Sequence, residues 1–291
     1  MTGSAYHGLA VSYWTLAGVL PDDAKPSRWT LAERVAAAAH AGFEGIGLTY
    51  SDYQVLSDRG YSDDDMFSIL ESYEMRVVEL EFLSGWSSDD PALRDAARKA
   101  ETRLYETADA VGGLNLNVGC AEPAGQLPPI EAVAERFAAI CDRARAHGLR
   151  VALEFMPWTG IPDVEAAWRV VELAGRPNGG ILLDAWHYFR GAADPGQLRA
   201  VPPDRVFGVQ VSDGAASLVG TLVEDTRRRR RLPGQGDFDL PGLLRLLDEL
   251  GVDAPRAVEV MAEDLAAMHV EEAAARAFEA ASAVLEKARS P

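Results

Sequence analysis

Four short apolar segments that each contain one oxygen-bearing side chain are the part of this sequence best suited to chemistry. They span residues 151–155, 181–184, 207–211 and 257–260, and their polar residues are Glu154, Asp184, Gln210 and Glu259. A carboxylate within an apolar run lies on a surface that should be buried, where an unpaired charge costs several kcal/mol. Each of these side chains therefore needs a neutralising partner.

A shared metal ion is the simplest such partner. Two carboxylates about 5 Å apart at an effective dielectric constant of about 20 repel by roughly 3 kcal/mol, so three converging pairs would cost on the order of 10 kcal/mol. Three carboxylates and one amide oxygen form a hard, all-oxygen donor set of the kind that Mg²⁺ and Mn²⁺ prefer. We therefore predict one divalent ion, Mn²⁺ or Mg²⁺, bound by the four side chains. The alternative is that each acid separately caps a helix or pairs with an arginine.

The elements that must position these residues alternate along the whole chain between strand-like and helix-like patterns. The first predicted helix opens with a capping box, Thr30 and Glu33, and Gly42, Gly148 and Gly251 follow helical patterns where C-caps are expected. The predicted strands are 7–16, 43–50, 76–83, 114–119, 150–155, 180–184, 205–211 and 257–261.

Eight strand–helix pairs in one chain without a Pro/Ser-rich linker predict a (β/α)8 TIM barrel, an α/β fold, as a single domain over residues 1–291. A doubly wound open sheet is the competing fold. No Gly-x-Gly-x-x-Gly motif follows the first strand, and the polar residues recur on the last four strands, so the sequence favours the barrel.

Period-two alternation assigns residues to the two faces of each strand. Ala152 and Glu154 share one face of the fifth strand, and Glu79 and Glu81 share one face of the third, so these faces are predicted to line the barrel interior. The residues predicted to face the helices include Val78, Leu80, Phe82, Phe207, Val209 and Val211. Glu81, nearer the mouth, is expected either to contact substrate or to form a salt bridge inside the barrel.

Composition limits the classes of partner. The chain has 291 residues, 48% of them hydrophobic, and a net charge of −17. This charge argues against nucleic acid as a partner, because phosphate contacts need a surplus of basic residues. No stretch has the length of a membrane span, and the apolar opening lacks a basic segment before it, so we predict a cytoplasmic protein with a small-molecule substrate. The sequence leaves the oligomeric state open and allows a homo-oligomer.

The quartet resembles that of the sugar phosphate isomerase/epimerase superfamily, the xylose-isomerase-like TIM barrels. In that superfamily Glu, Asp, His or Gln, and Glu at the ends of strands five to eight bind the metal, which implies metal roles for Glu154, Asp184, Gln210 and Glu259. Gln at the third position is similar to the hydroxypyruvate isomerase and 3-dehydroshikimate dehydratase branches. The stretch 231–239 resembles the family's Pro-Gly-Glu-Gly-Asp loop, with Gln235 in place of the Glu.

Further site residues are predicted around the quartet, one from the resemblance and the others from their positions in the sequence. Asp184-Ala-Trp-His187 is similar to the family's Asp-x-x-His motif, which implies that His187 contacts the substrate. Trp14 and Trp158 lie at or beyond predicted strand ends and are expected to wall the pocket. In the arginine run 227–231, Arg230 or Arg231 could reach over the mouth; Arg231 is our predicted substrate contact, and a solvated loop face is the alternative.

The resemblance implies an isomerase or epimerase that acts on a polyhydroxylated keto-sugar or keto-cyclitol by proton transfer through an enediolate. Glu154 and Glu259 inherit the roles of acid and base on opposite faces of the substrate. A dehydratase of the dehydroshikimate or inosose type is the nearest alternative, and a barrel that binds a sugar without converting it is a third. The superfamily's apurinic endonuclease branch is disfavoured by the acidic charge and by the small number of histidines.

Overall fold

The computed structural model describes residues 8–290, and in it eight parallel strands form a closed barrel in chain order. The barrel closes where β1 pairs with β8. This confirms the predicted TIM-barrel fold. The strands are β1 Leu9–Val11, β2 Gly45–Thr49, β3 Arg76–Leu83, β4 Asn115–Gly119, β5 Arg150–Glu154, β6 Gly179–Asp184, β7 Val206–Val211 and β8 Arg256–Val258.

Helices surround the barrel and bury its outer face in one main apolar core. Two α-helices rather than one follow β1, β2, β6, β7 and β8. The α-helices are α1 Tyr13–Leu16, α2 Leu31–Ala41, α3 Tyr50–Asp58, α4 Asp63–Glu71, α5 Pro91–Val111, α6 Ile130–Ala144, α7 Val164–Ala174, α8 Ala185–Arg190, α9 Pro195–Ala200, α10 Leu222–Arg228, α11 Leu240–Leu250, α12 Glu263–Ala267 and α13 Val270–Arg289. Short 3-10 helices span Pro21–Asp23, Arg145–His147 and Pro203–Arg205.

The predicted helix boundaries at α2 follow from its caps. The Thr30 hydroxyl accepts the Glu33 N–H at 3.2 Å, and the Glu33 carboxylate accepts the Thr30 N–H at 2.8 Å, which completes the capping box. At the other end Gly42 has φ +110°, and its N–H binds back to the last turn. Gly148 and Gly251 take the same left-handed conformation after their helices.

The first strand is shorter than predicted. The prediction of residues 7–16 is wrong beyond Val11, because Tyr13–Leu16 forms the helical turn α1; His7 lies outside the described residues. The Thr15 hydroxyl donates to the Val258 carbonyl and accepts the Val260 N–H, both at 2.9 Å. The Thr15 side chain thus makes the hydrogen bonds to the chain after β8 that the backbone of a longer β1 would have made. The strand β8 also ends earlier than predicted, at Val258.

One extra residue in β3 changes which side chains face the barrel interior. Ile46 and Gly47 of β2 pair with the residues on either side of Val78, which leaves Val78 without a direct partner. Val78 packs with Ala10 and Ala257, apart from the main core. The prediction that it faces the helices is therefore wrong, because a bulge shifts the alternation by one residue.

A second extra residue has the same effect in β7. Ile181 and Leu182 pair with the residues before and after Phe207. Phe207 packs with Ala152 and Leu182 in a cluster separate from the main core, and the guanidinium of Arg150 lies 4.6 Å from its ring centre. Phe207 therefore does not face the helices as predicted, whereas Val209 and Val211 beyond the bulge do.

Within residues 8–290, every helix is too short or too polar to cross a membrane.

Candidate metal centre and active site

The four predicted metal-binding side chains gather at the carboxyl-terminal mouth of the barrel. Glu154 and Asp184 are the last residues of β5 and β6, Gln210 lies beside Asp184 in the β6–β7 ladder, and Glu259 directly follows β8. All four are buried, with at most 7% of any residue exposed. Catalytic groups of TIM barrels are characteristically placed at this end of the strands.

Arg230 links two members of the quartet. Its Nη1 lies 2.6 Å from Asp184 Oδ2 and 3.0 Å from Glu259 Oε2. The arginine side chain is 1% exposed and Asp184 is fully buried. The same nitrogen approaches the Ser212 hydroxyl and the Glu259 carbonyl, each at 3.3 Å. A single guanidinium nitrogen thus donates to oxygen atoms at the ends of three strands, β6, β7 and β8.

Asp184 also caps a helix. Its Oδ1 accepts the His187 N–H at 2.8 Å at the start of α8, while Oδ2 faces Arg230. Burial opposes ionisation of this carboxyl, but Arg230 and His187 outweigh it and lower the pKa of Asp184 to about 2. Asp184 therefore caps a helix and pairs with an arginine, as the alternative to a shared metal ion predicted. It also lies beside the other acids, as the metal hypothesis requires.

His187 lies next to Glu154. Its Nε2 is 3.1 Å from Glu154 Oε1, and burial lowers its pKa to about 4, so the imidazole is neutral at pH 7. One ligand atom from each of Glu154, Asp184 and His187 lies within 4.8 Å of the others. The Trp158 ring stands edge-on to the imidazole, with ring centres 5.1 Å apart. His187 is therefore part of the same polar group, and Trp158 forms a wall beside it.

The donor set fits a hard divalent cation. The Gln210 Nε2 donates to Glu259 Oε1 at 3.3 Å, and the buried Gln210 Oε1 has no hydrogen-bond partner among residues 8–290. Burial and the nearby Asp184 charge raise the pKa of Glu154 well above its usual value, and burial raises the pKa of Glu259 despite the opposing effect of Arg230. The carboxylates exceed the positive charge that Arg230 supplies, so an added cation would stabilise them.

Two further acids extend the polar group into the barrel. Glu79 and Glu81 are buried, as predicted from the alternation in β3. The Ser12 hydroxyl donates to Glu79 Oε2 at 2.6 Å. Burial first, then the charge of Glu79, raises the pKa of Glu81 well above its usual value, and Glu81 Oε1 has no hydrogen-bond partner in the described part of the chain. No salt bridge to Glu81 is formed there, so its predicted substrate contact stays a prediction.

The structure does not bring every predicted residue to this group. Arg231 is 45% exposed and lies 3.6 Å from Asp237, so Arg230 rather than Arg231 is the arginine that reaches the carboxylates. The alternation of the backbone explains the choice, since neighbours in extended chain point to opposite sides. Trp14 is half-buried in α1 and packs edge-on against Tyr13.

Sequence reasoning missed several polar residues around the mouth. Ser12, Ser212 and Thr226 are all buried, and each binds an acid or the arginine of the group. Asn117 is also fully buried, and neither its amide oxygen nor its amide nitrogen has a partner among residues 8–290. The alternation Asn115-Leu-Asn117-Val is a period-two signal that marks Asn117 as an inward residue.

The sequence model of a family described as a xylose isomerase-like TIM barrel matches residues 35–287. The chain belongs to this family, which confirms the resemblance seen in the quartet.

Relatives in the family are enzymes. A 3-dehydroshikimate dehydratase of Pseudomonas putida is 26% identical over 235 residues, which cover 79% of this chain but only 36% of the dehydratase. An inosose isomerase of Bacillus velezensis is 28% identical over 156 residues, which cover 53% of this chain and 55% of the isomerase. The chain thus aligns with about a third of the dehydratase's length and little more than half of the isomerase's.

Among solved structures, the IOLI protein with a bound zinc atom superposes with a TM-score of 0.83 over 98% of this chain and 100% of that protein. The two sequences are 20% identical, so this likeness shows the shared fold.

Proposed function

We propose that this protein is a divalent-metal-dependent isomerase or epimerase that acts on a polyhydroxylated keto-sugar or keto-cyclitol by moving a proton through an enediolate. The observation that carries the proposal is the convergence of Glu154, Asp184, Gln210 and Glu259 on one buried mouth with too little positive charge to balance them. Mn²⁺ or Mg²⁺ is the proposed ion, since the quartet donates oxygen only.

The protein's own side chains would have different roles in this reaction. Glu154 and Glu259 lie at the ends of β5 and β8, so a substrate in the mouth would have one carboxylate on each side to remove or return a proton at carbon. Arg230 and His187 would bind substrate oxygens, and the Trp158 ring would form a wall beside His187. When bound, the ion would supply Lewis acidity at the substrate carbonyl oxygen.

The same residues would support a second reaction, the dehydration of a β-hydroxy ketone. After a carboxylate removes the proton next to the carbonyl, the hydroxyl at the β-carbon leaves with a proton from a neighbouring acid, and water is released. The match to the dehydratase relative over 235 residues favours this candidate. The chain covers only 36% of that relative, so the dehydratase activity and its substrate are proposals for this chain.

A proton-exchange experiment tests both candidates. The purified chain is stripped with a chelator, reloaded with Mn²⁺ or Mg²⁺, and incubated in D₂O with keto-sugars, an inosose or 3-dehydroshikimate. An isomerase or epimerase incorporates deuterium at carbon and keeps the atom count of the substrate, whereas a dehydratase loses water and produces a conjugated ultraviolet chromophore. A metal-loaded protein that binds these ketones but neither exchanges nor eliminates would overturn the proposed function.

A further inference from the structure

Thr226 holds the opposite edge of the guanidinium that enters the carboxylate group. Its hydroxyl oxygen accepts two N–H groups of Arg230, from Nε at 3.1 Å and from Nη2 at 2.8 Å. Its backbone carbonyl accepts the Nε N–H as well, at 3.2 Å. Thr226 is 3% exposed and Arg230 is 2% exposed, so water does not compete freely for these bonds.

This contact determines the direction of the remaining nitrogen. A guanidinium is planar and rigid, so fixing the Nε–Nη2 edge fixes the position of Nη1. Nη1 is the nitrogen that faces Asp184 and Glu259. Without the Thr226 hydroxyl, the Nη2 N–H would be buried without an acceptor and the Nε N–H would keep only the backbone carbonyl. The guanidinium would then lose the contacts that define its orientation.

The helix that contains Thr226 is itself fixed to the barrel. Asp225 forms a buried ion pair with Arg190 of α8 at 3.1 Å, with side chains 2% and 8% exposed. The Arg230 N–H donates to the Met261 carbonyl at 3.2 Å, just beyond Glu259. Threonine is a weak helix former, and the hydrogen bonds of its hydroxyl in residues 8–290 go to Arg230 alone. The residue type is therefore explained by the arginine rather than by the helix.

We infer that Thr226 is a positioning residue: through Arg230 it sets the separation of Asp184 and Glu259, two of the four oxygen donors of the site. The inference rests on the proposed metal function. It concerns a residue on α10, outside the strand ends that supply the donors, and it predicts that the hydroxyl of a helix residue controls the affinity of the site for a divalent ion.

The test compares Thr226→Val, which keeps the shape but removes the acceptor, with Thr226→Ser, which keeps the acceptor. Mn²⁺ is titrated into each chelator-treated protein by calorimetry, and far-UV circular dichroism checks the fold. We expect T226V to weaken Mn²⁺ binding about 10-fold, the effect of losing one hydrogen bond to a charged group. T226S should bind within about twofold of the wild type. If T226V does not fold, Thr226→Ala provides the same comparison.

A second readout needs no metal. The Nη2–H that Arg230 donates to the Thr226 hydroxyl should exchange slowly with solvent in the wild type and in T226S, and at least 10-fold faster in T226V, as measured by nuclear magnetic resonance. Equal or tighter Mn²⁺ binding by T226V, with unchanged Nη2–H exchange, would overturn the inference. A wild type that binds no Mn²⁺ would instead contradict the proposed function, and the exchange measurement would still decide whether Thr226 orients Arg230.

Discussion

Arg230 and Asp184 form a fully buried ion pair, with Nη1 2.6 Å from Oδ2, at the point where the barrel gathers its acids. The same nitrogen reaches Glu259 at 3.0 Å. Since two carboxylates share one guanidinium, the arginine offsets only part of the buried negative charge. The arginine and a divalent ion would therefore both stabilise the folded site.

Arg230→Met should destabilise the metal-free protein by about 3–5 kcal/mol, because it leaves Asp184 and Glu259 buried without their cation. The free energy of unfolding is measured by urea titration in the presence of chelator. Its neighbour supplies a matched control: Arg231→Met removes an arginine that is 45% exposed and should change stability by less than about 0.5 kcal/mol. Equal effects of the two substitutions would contradict the conclusion that Arg230, and not Arg231, neutralises the buried acids.

Glu259→Gln should lower kcat by about 10²–10⁴-fold, the usual contribution of a positioned acid or base. The amide keeps the size of the side chain and can still accept from Arg230 Nη1, so the circular dichroism spectrum should match that of the wild type. Turnover is measured with the substrate found by the deuterium experiment, at saturating Mn²⁺. A kcat within a factor of two of the wild type would remove Glu259 from the proposed proton transfer.

The variant His187→Asn tests whether His187 contacts the substrate or binds the metal ion. The sequence predicts a substrate contact, while the structure also places one nitrogen of His187 within 4.8 Å of oxygens from Glu154 and Asp184. If His187 contacts substrate, the variant should keep its Mn²⁺ affinity within about twofold and lose about 10-fold or more in kcat/KM. A parallel loss of Mn²⁺ affinity, measured by calorimetry, would make His187 a ligand and contradict the predicted role.

Gly236→Ala should disturb the loop before α11. A Cβ at Gly236 would lie 2.2 Å from Asp213 Oδ1 and 2.3 Å from the Gly214 carbonyl oxygen. The Asp213 carboxylate accepts N–H groups from Gly214, Gly234 and Phe238, so the clash falls on the group that organises the loop. We expect a loss of about 1–3 kcal/mol and faster proteolysis within residues 212–238.

The exposed neighbour Gln235 gives the control for that loop. Gln235→Ala removes a side chain at the surface and should leave both stability and the proteolysis rate unchanged within error. If Gly236→Ala has the stability and the proteolysis rate of Gln235→Ala, then the close approach of the backbone to Asp213 does not restrict residue 236 to glycine.

The strands that carry the quartet could be predicted because each is a buried apolar run with one polar residue near its end. Glu154 and Asp184 end β5 and β6 as the pattern indicates. The predicted direction of the side chain was wrong at Val78 and at Phe207. A bulge depends on how two strands pair, and the alternation within a single strand does not reveal it.

The arginine of the site shows a second limit. A run of five basic residues, 227–231, does not indicate which member is buried. That choice is made by the short helix α10 and by the bridges that follow it, Asp213 with Arg231 and Arg229 with Ala262, which turn Arg230 inward. These contacts join parts of the chain that are distant in sequence, so the choice of Arg230 over Arg231 needed the fold.

Stability should depend on pH through a partly buried ion pair between α5 and α6. Glu101 of α5 accepts from Arg143 of α6, with Nε at 2.5 Å and Nη2 at 2.9 Å, and from the Tyr105 hydroxyl at 2.6 Å. Burial opposes ionisation of Glu101, but Arg143 and Tyr105 outweigh it and lower its pKa below the usual 4.5. A carboxyl with a depressed folded-state pKa adds stability above its unfolded-state pKa and loses it as the pH falls through the folded value.

Glu101→Gln should therefore cost about 2 kcal/mol at pH 7, where the lost bonds involve charged groups, and less as the pH falls below about 4.5. Urea unfolding at a series of pH values from 7 to 3 gives the difference between variant and wild type. Glu106→Gln is the control, because its ion pair with Arg103 is about half exposed on both sides and should add little at any pH. A difference between Glu101→Gln and wild type that stayed constant from pH 7 to 3 would mean that Glu101 stabilises the α5–α6 contact by its shape, with no contribution from its charge.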